Sequence, residues 1–179
     1  MNIDNAFELD ELVALAKLDI EAGRLEQGLE KLKRAIGLEE VAGEASALLA
    51  RLYAQLRLFD KAKFYFARFI AANPEAELEI FQLGMTEFDG GNLVEAVNLW
   101  GGILERNPTH PPALFYRALA VSEQGLFDEA RRDLDVLIKA VAVDNLYFNR
   151  AKELLASLDR TTGTERIAAS RAAVYGADT

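Results

Sequence analysis

Side chains of the same kind recur every 34 residues along this chain, and this period constrains the fold more than any other feature of the sequence. One small residue recurs as Ala16, Ala50, Gly84 and Ala118, and another as Gly28, Ala62, Ala96 and Ala130. A turn residue recurs as Gly23, Arg57, Gly91 and Gly125, and a large apolar residue as Leu32, Phe66, Trp100 and Leu134. Several independent positions in one register indicate stacked copies of one structural unit.

The repeated unit has the pattern of a helical hairpin. In residues 75–108, an apolar helical face around Leu83 is followed by a break at Gly90-Gly91. Helical spacing resumes at Leu93 and ends at Pro108, because proline has no amide hydrogen and cannot continue a helix. The sequence therefore predicts an all-α fold made of paired helices.

The recurring positions identify a family. A small residue in each helix, a glycine-type turn, a large aromatic in the second helix and a terminal proline resemble the tetratricopeptide repeat, with four repeats at about 9–40, 41–74, 75–108 and 109–142. The resemblance implies a right-handed superhelical solenoid. Two departures stand out. The family's first-helix Trp is replaced by Leu12, Ser46, Ile80 and Leu114, and Arg117 stands where Leu15, Leu49 and Leu83 stand.

The helix-capping and helix-breaking residues along the chain predict nine helices within one domain of residues 1–160, followed by a tail. Asp4 or Asn5 is expected to cap the first helix, and Asp144 the ninth, which covers the end of repeat 4 at 144–158. Within the tail, 161–179, we expect residues Glu165–Tyr175 to form a further short helix. The expected helices are 6–22, 25–36, 40–56, 60–72, 75–89, 93–106, 112–124, 128–141 and 145–158.

Composition and charge limit the classes of function. The chain contains no cysteine, so it has neither disulfides nor thiolate metal ligands. Its net charge of −9 is banded, with −5 in residues 1–40, +3 in 41–74 and −6 in 75–108, whereas a nucleic-acid partner requires a continuous basic stripe. No apolar run is long enough to span a bilayer, and Met1–Leu12 lacks the pattern of a signal peptide. We therefore expect a cytoplasmic protein that binds no nucleic acid.

The sequence offers no constellation for catalysis, a metal or a cofactor. Its single histidine, His110, lies in a proline-rich loop without a nucleophile motif and is interpreted as a surface residue. Gly90-Gly91-Asn92 lacks the Lys and Ser/Thr of a phosphate loop. The acids of residues 128–135 do not have the spacing of a calcium loop. A non-enzymatic role is expected.

The resemblance implies that the first helix of each pair lines a concave surface that holds other proteins. The groove residues expected are Val13 and Lys17, Ala47 and Arg51, Phe81, Met85 and Phe88, and Phe115 and Leu119 in repeats 1 to 4, with Leu78 in the same inward set. We expect the apolar stripe of Phe81, Met85 and Phe88, continued by Phe115 and Leu119, to be exposed and to bind an apolar peptide or amphipathic helix. Lys17 and Arg51 would orient an acidic end of that partner.

Three functions remain open at this point. The first is an adaptor or scaffold that binds a folded partner through the groove. The second is a small cytoplasmic chaperone for a secreted client or an assembly subunit. In the third, the helix Glu165–Tyr175 fills its own groove or that of a neighbour, which would make a homo-oligomer.

Overall fold

The computed structural model describes residues 8–39 and 41–160 of the chain. Within these residues the backbone forms nine α-helices and no β-strand, which confirms the predicted all-α helical-repeat fold. The helices are α1 (Leu9–Glu21), α2 (Leu25–Ile36), α3 (Glu44–Gln55), α4 (Phe59–Ala72), α5 (Glu77–Asp89), α6 (Leu93–Arg106), α7 (Pro111–Glu123), α8 (Phe127–Ala140) and α9 (Leu146–Arg160). None of these helices combines the length and the apolarity that a membrane crossing requires.

Most helix ends lie within two residues of the predicted positions, and the largest difference is at the start of α3. This helix begins at Glu44 instead of about residue 40. The Glu39 carboxylate accepts hydrogen bonds from the amides of Ala45 and Ser46, at 2.9 and 3.4 Å, and from the Ser46 hydroxyl at 2.7 Å. A carboxylate is stabilised by the amides and the positive dipole end at a helix N-terminus. Glu39 therefore caps α3 from the preceding loop, and the helix begins after it.

The two predicted N-cap assignments differ in outcome. Asp4 and Asn5 lie outside the described residues. At α9, Asn145 instead of Asp144 supplies the cap, since its side-chain oxygen accepts from the Tyr147 amide at 2.9 Å. Both residues are suitable by type, and the register of the first turn decides between them.

The turn inside each hairpin has one conformation in all four repeats. Gly23, Arg57, Gly91 and Gly125 have positive φ angles of 75°, 57°, 86° and 80°. In the first turn, the Gly23 amide donates to the Ile20 carbonyl at 3.0 Å and the Arg24 amide donates to the Asp19 carbonyl at 2.7 Å. This pair of bonds is the Schellman motif, and it satisfies carbonyls that the end of a helix leaves without partners. The recurring turn position in the sequence is thus the left-handed residue of each helix end.

By its internal contacts the chain divides into two compact units, Met1–Thr86 and Glu87–Thr179. In the first unit, α1 packs on α2, α2 on α3, and α3 on α4. Its core includes Leu12, Leu32, Leu49, Leu52 and Phe66. At Gly28 the helices are so close that an added Cβ would lie 2.7 Å from Ile20 Cγ1 and 3.3 Å from the Ala16 carbonyl oxygen, so a larger residue would require the Ile20 side chain or the helix to move.

In the second unit, α7 packs against α6, α8 and α9, and α8 also packs against α9. The buried side chains of α9 are Ala151, Leu154 and Leu158, which lie on one face of that helix. Trp100, Leu134 and Leu137 are also fully buried. The helix after the fourth hairpin thus covers apolar surface that the hairpin would otherwise expose to water.

The recurring sequence positions are the packing positions of the helices. All four large apolar residues, Leu32, Phe66, Trp100 and Leu134, are 0% exposed. The small residues at both recurring positions are buried as well. Truncating a buried aromatic to Ala costs about 3 to 5 kcal/mol. The period seen in the sequence is therefore the period of the core.

Candidate functional site

Five of the nine expected groove residues are buried. Val13 and Ala47 lie in the core of the first unit, and Phe88, Phe115 and Leu119 in the core of the second. Lys17, Arg51, Phe81 and Met85 are half-buried. The expectation that Phe88, Phe115 and Leu119 are exposed is therefore wrong.

Aromatic contacts within the second unit explain this burial. The Phe88 ring lies 6.0 Å from the Trp100 ring, measured between centroids, and Phe88 is only 3% exposed. Phe115, 2% exposed, lies 5.4 Å from Tyr116 and 5.6 Å from Tyr147. Tyr147 belongs to α9, which follows the last repeat. An apolar position that faces outward from a hairpin is thus covered by a helix outside the repeat pattern.

The two predicted cations of the groove form ion pairs within the first unit. Lys17 Nζ lies 2.5 Å from Glu44 Oε1, and Arg51 donates to Glu79 Oε1 at 3.0 Å. Each cation therefore contacts the first helix of the next hairpin. The Lys17 pair is exposed on both sides and contributes little stability, whereas the Glu79 side chain is only 12% exposed. Both charges are partly neutralised, which argues against the role of orienting an acidic partner.

An apolar stripe on α5 remains accessible in the first unit. Leu78 is 57% exposed, and Phe81 and Met85 are half-buried on the same helix at i+3 and i+7. Between them, Ile80 and Gly84 are buried. The helix therefore presents one face to the core and a second apolar face outside it. Two of the predicted groove residues, Phe81 and Met85, belong to this accessible face.

Two half-buried tyrosines in the second unit, Tyr116 and Tyr147, were not among the groove residues predicted from the sequence. Tyr116 on α7 lies 5.9 Å from the Trp100 ring and 6.5 Å from the Tyr147 ring. Arg150 follows Tyr147 by one helical turn, and it is also half-buried. Burial raises the pKa of both tyrosines, and the positive charge of Arg150 partly opposes this rise. The sequence feature that could have indicated this grouping is the i, i+3 spacing of Tyr147 and Arg150, which places both side chains on one face of a helix.

Two buried carboxylates stabilise the hairpins from inside. Asp19 accepts from Lys31 at 2.5 Å and from Arg24 Nε at 2.9 Å, and these bonds, the Lys31 bond first, lower the pKa of Asp19. Asp133 accepts two bonds from the Arg117 guanidinium, at 2.8 and 2.5 Å, and the bonds to Asp133 raise the pKa of Arg117. Both carboxylates have partners on the same hairpin. Each carboxylate therefore links the two helices of its hairpin.

His110 is the N-cap of α7, which differs from the expectation of a plain surface residue. Its Nδ1 accepts a hydrogen bond from the Ala113 amide at 3.1 Å, so the neutral ring carries its proton on Nε2. The amides in the first turn of a helix have no acceptor within the helix, and the His110 side chain supplies one for Ala113. In residues 8–39 and 41–160, no group of three or more His, Asp or Glu side chains could hold a metal ion.

Comparison with known proteins assigns the repeats. The family model described as Tetratricopeptide repeat matches residues 13–77 and 81–145. A crystal structure of MamA is similar, at 22% identity and a TM-score of 0.70, over 74% of this chain and 78% of that chain. A tetratricopeptide repeat protein from Parabacteroides merdae gives 18% identity and a TM-score of 0.75, over 84% of this chain and 60% of that one.

YrrB, described as a TPR protein with an unusual peptide-binding site, is also similar, at 18% identity and a TM-score of 0.71. The similarity spans 81% of this chain and 74% of YrrB. At these identities the structural similarity concerns the fold alone. No curated protein sequence gives a significant match.

Proposed function

This chain belongs to the tetratricopeptide repeat family, and we propose that it is a non-enzymatic interaction module that binds an apolar or amphipathic segment of another protein. The partner would be a helix or an extended peptide with large apolar side chains. The proposal includes the cytoplasmic location that the sequence favours.

The observation that supports this function is the accessible stripe of Leu78, Phe81 and Met85 on α5. An apolar side chain that is only partly buried does not contribute its full burial energy to the fold. Three of them at helical spacing make a continuous apolar strip, and such a strip is typical of helix-in-groove recognition. Met85 adds an unbranched, polarizable side chain that adapts to different partner shapes.

Charge limits where the partner can lie. Glu79 is on the same helix as the stripe, and its ion pair with Arg51 leaves it nearly covered. An acidic partner segment would have to break this pair, at the cost of leaving Glu79 without a cation. We therefore propose that the segment beside the stripe is apolar and carries no acidic group at this point. This revises the role that the sequence suggested for Arg51.

The structural neighbours support the general class of function. YrrB is a repeat protein described as having a peptide-binding site, and it has the same fold at low identity. Peptide binding by the present chain is our proposal from its own residues. An adaptor and a chaperone would use the same surface and differ in the state of the bound protein. The third alternative involves Glu165–Tyr175, which lies outside the described residues.

The experiment that tests the function is a pulldown from a lysate with the full chain, read by mass spectrometry. The variant carries Phe81→Glu and Met85→Glu, both at half-buried positions. The matched control is Phe64→Glu, because Phe64 is a 61% exposed phenylalanine on α4. The expected result is a loss of the recovered partner by about tenfold or more in the variant, and retention in the control.

Three outcomes of that pulldown have different meanings. If the Phe81 and Met85 variant recovers the same proteins as the wild type while its helical circular dichroism is intact, the stripe is not the site. If a recovered partner is folded and stable when expressed without this chain, the adaptor function is supported. A partner that is insoluble alone and soluble on co-expression indicates a chaperone.

A further inference from the structure

A surface of the second unit, distinct from the stripe on α5, combines two tyrosines with an arginine. Tyr116 comes from α7, and Tyr147 and Arg150 come from one face of α9. The rings of Tyr116 and Tyr147 meet edge to face at 6.5 Å, and Tyr147 also contacts the buried Phe115. All three residues are half-buried. The tyrosines therefore rest on a rigid aromatic base and still present part of each side chain to solvent.

Arg150 differs from the other half-buried arginines of this unit. Arg117 is bonded to Asp133, and Arg131 is bonded to Asp128 and Asp159. Arg150 has no hydrogen bond or ion pair with any residue that the structure describes. Arg150 lies three residues after Tyr147 on α9, which places the two side chains on one face of that helix. Its positive charge also partly opposes the rise that burial causes in the pKa of Tyr116 and Tyr147. A half-buried guanidinium has five N–H donors and no acceptor, so it can bind an anion.

The net charge of the second unit limits the kind of anion that can bind at Arg150. Between residues 87 and 160, acids outnumber bases by 12 to 8. The negative charge of Asp89 also adds to the rise that burial causes in the pKa of Tyr116. A polyanion such as a nucleic acid would be repelled by this surface, whereas one carboxylate can pair with one guanidinium. The surroundings thus favour a ligand with a single negative charge.

We propose that Tyr116, Tyr147 and Arg150 form a second binding site, which holds an aspartate or glutamate side chain of a peptide segment from a partner protein. Arg150 binds the carboxylate through paired N–H donors, and the tyrosine rings pack against an apolar residue next to the acid. Tyrosine and arginine are the side chains most often found at the energetic centre of interfaces. The site uses residues of the second unit only.

A selection from a display library of random linear peptides tests this site with the full-length chain. The targets are the wild type, Arg150→Gln, Arg150→Lys, and Arg132→Gln as a control on an exposed arginine of α8. Peptides enriched on the wild type are expected to contain an Asp or Glu beside an apolar residue. This acid preference should disappear with Arg150→Gln, weaken with Arg150→Lys, and persist with Arg132→Gln.

The enriched peptides then give a quantitative test. Replacing their acid by the matching amide should weaken binding to the wild type by about tenfold or more, and should change binding to Arg150→Gln little. Circular dichroism checks that each variant is folded, and Arg150→Lys retains the charge if Arg150→Gln is unstable.

Other outcomes overturn the site. Enrichment without an acid, or with the same acid preference on Arg150→Gln, removes the proposed role of Arg150 but leaves peptide binding by the module intact. Enriched sequences that match residues 161–179 would assign the surface to the chain's own tail. A dimer in sedimentation that Arg150→Gln dissociates would assign it to a second copy. If no target enriches any peptide, the proposed function itself fails.

Discussion

The ring of Tyr53 stacks on the ring of Tyr65, with centroids 5.8 Å apart and planes 22° from parallel. Exactly one repeat earlier, the same two positions are Asp19 and Lys31, which form an ion pair at 2.5 Å. Position by position, the contact between the two helices of a hairpin is thus kept while its chemistry changes from aromatic to ionic. What the repeat requires at these positions is a complementary pair.

We first predict that an ion pair can replace the aromatic pair of repeat 2. Tyr53→Asp alone places a carboxylate at a position that is 4% exposed, and a buried charge without a partner is strongly destabilising. Adding Tyr65→Lys supplies the partner found in repeat 1. In urea unfolding, the double variant should be more stable than the sum of the two single changes implies by about 1 kcal/mol or more. Strict additivity would contradict the equivalence of the two positions.

The second prediction concerns acid. The pKa of Asp19 is below its ordinary value, so this carboxyl stabilises the fold above the unfolded-state pKa of about 3.9, and the contribution is lost as the pH falls through the lower folded-state pKa. In Asp19→Asn the urea midpoint should therefore decline less between pH 5 and pH 2 than in the wild type. Asp60→Asn, at a fully exposed aspartate, should leave the wild-type slope unchanged. An unaltered slope in Asp19→Asn would contradict the assignment.

The third prediction uses the one turn residue that is not glycine. Arg57 has φ of 57°, in the left-handed region, where a side chain costs about 1 to 2 kcal/mol. Its guanidinium lies 5.2 Å from the centre of the Phe59 ring, and any substitution loses this contact. Arg57→Gly should therefore be compared with Arg57→Ala, which loses the same contact but retains the strain. We expect the glycine variant to be more stable by about 1 kcal/mol in thermal unfolding; equal stability would exclude strain at this turn.

Much of this fold could be predicted from the sequence because its packing repeats with the same period. The positions of Gly28, Trp100 and their equivalents identify the core, and the glycines identify the left-handed turn residues. Arg57 could be assigned to that turn only by its register, since its side chain gives no such signal. Periodicity is informative here because equivalent positions of each hairpin pack in the same way.

The candidate site was less predictable because exposure depends on neighbours that do not repeat. Helical spacing places Phe81 and Met85 on one face of α5, but it could not show that Tyr147 of α9 contacts Phe115. The sequence also could not show which acids pair with Lys17 and Arg51. Glu44 and Glu79 occupy different positions of the repeat, so comparing repeats does not reveal that they have one role.

Arg117 departs from the pattern of the other repeats, where leucine occupies its position, whereas the position of Asp133 holds a different residue in every repeat. The equivalents in repeat 3 are Leu83 and Leu99. Asp133 is 7% exposed and receives both of its bonds from Arg117 at 2.8 and 2.5 Å. A buried ion pair of this kind often contributes no more stability than a well-packed apolar pair, because both charges lose their hydration.

The fourth prediction follows from this comparison. Arg117→Leu alone leaves the Asp133 carboxylate buried without a cation and should cost about 3 to 5 kcal/mol. Arg117→Leu with Asp133→Leu places at these two positions the residue type that repeat 3 has there, and its free energy of unfolding should lie within about 1 kcal/mol of the wild type or above it. Urea unfolding of the wild type, both single variants and the double variant measures the coupling. A double variant as unstable as the sum of the single changes would show that the space between α7 and α8 is shaped for the ion pair and cannot be filled by leucine.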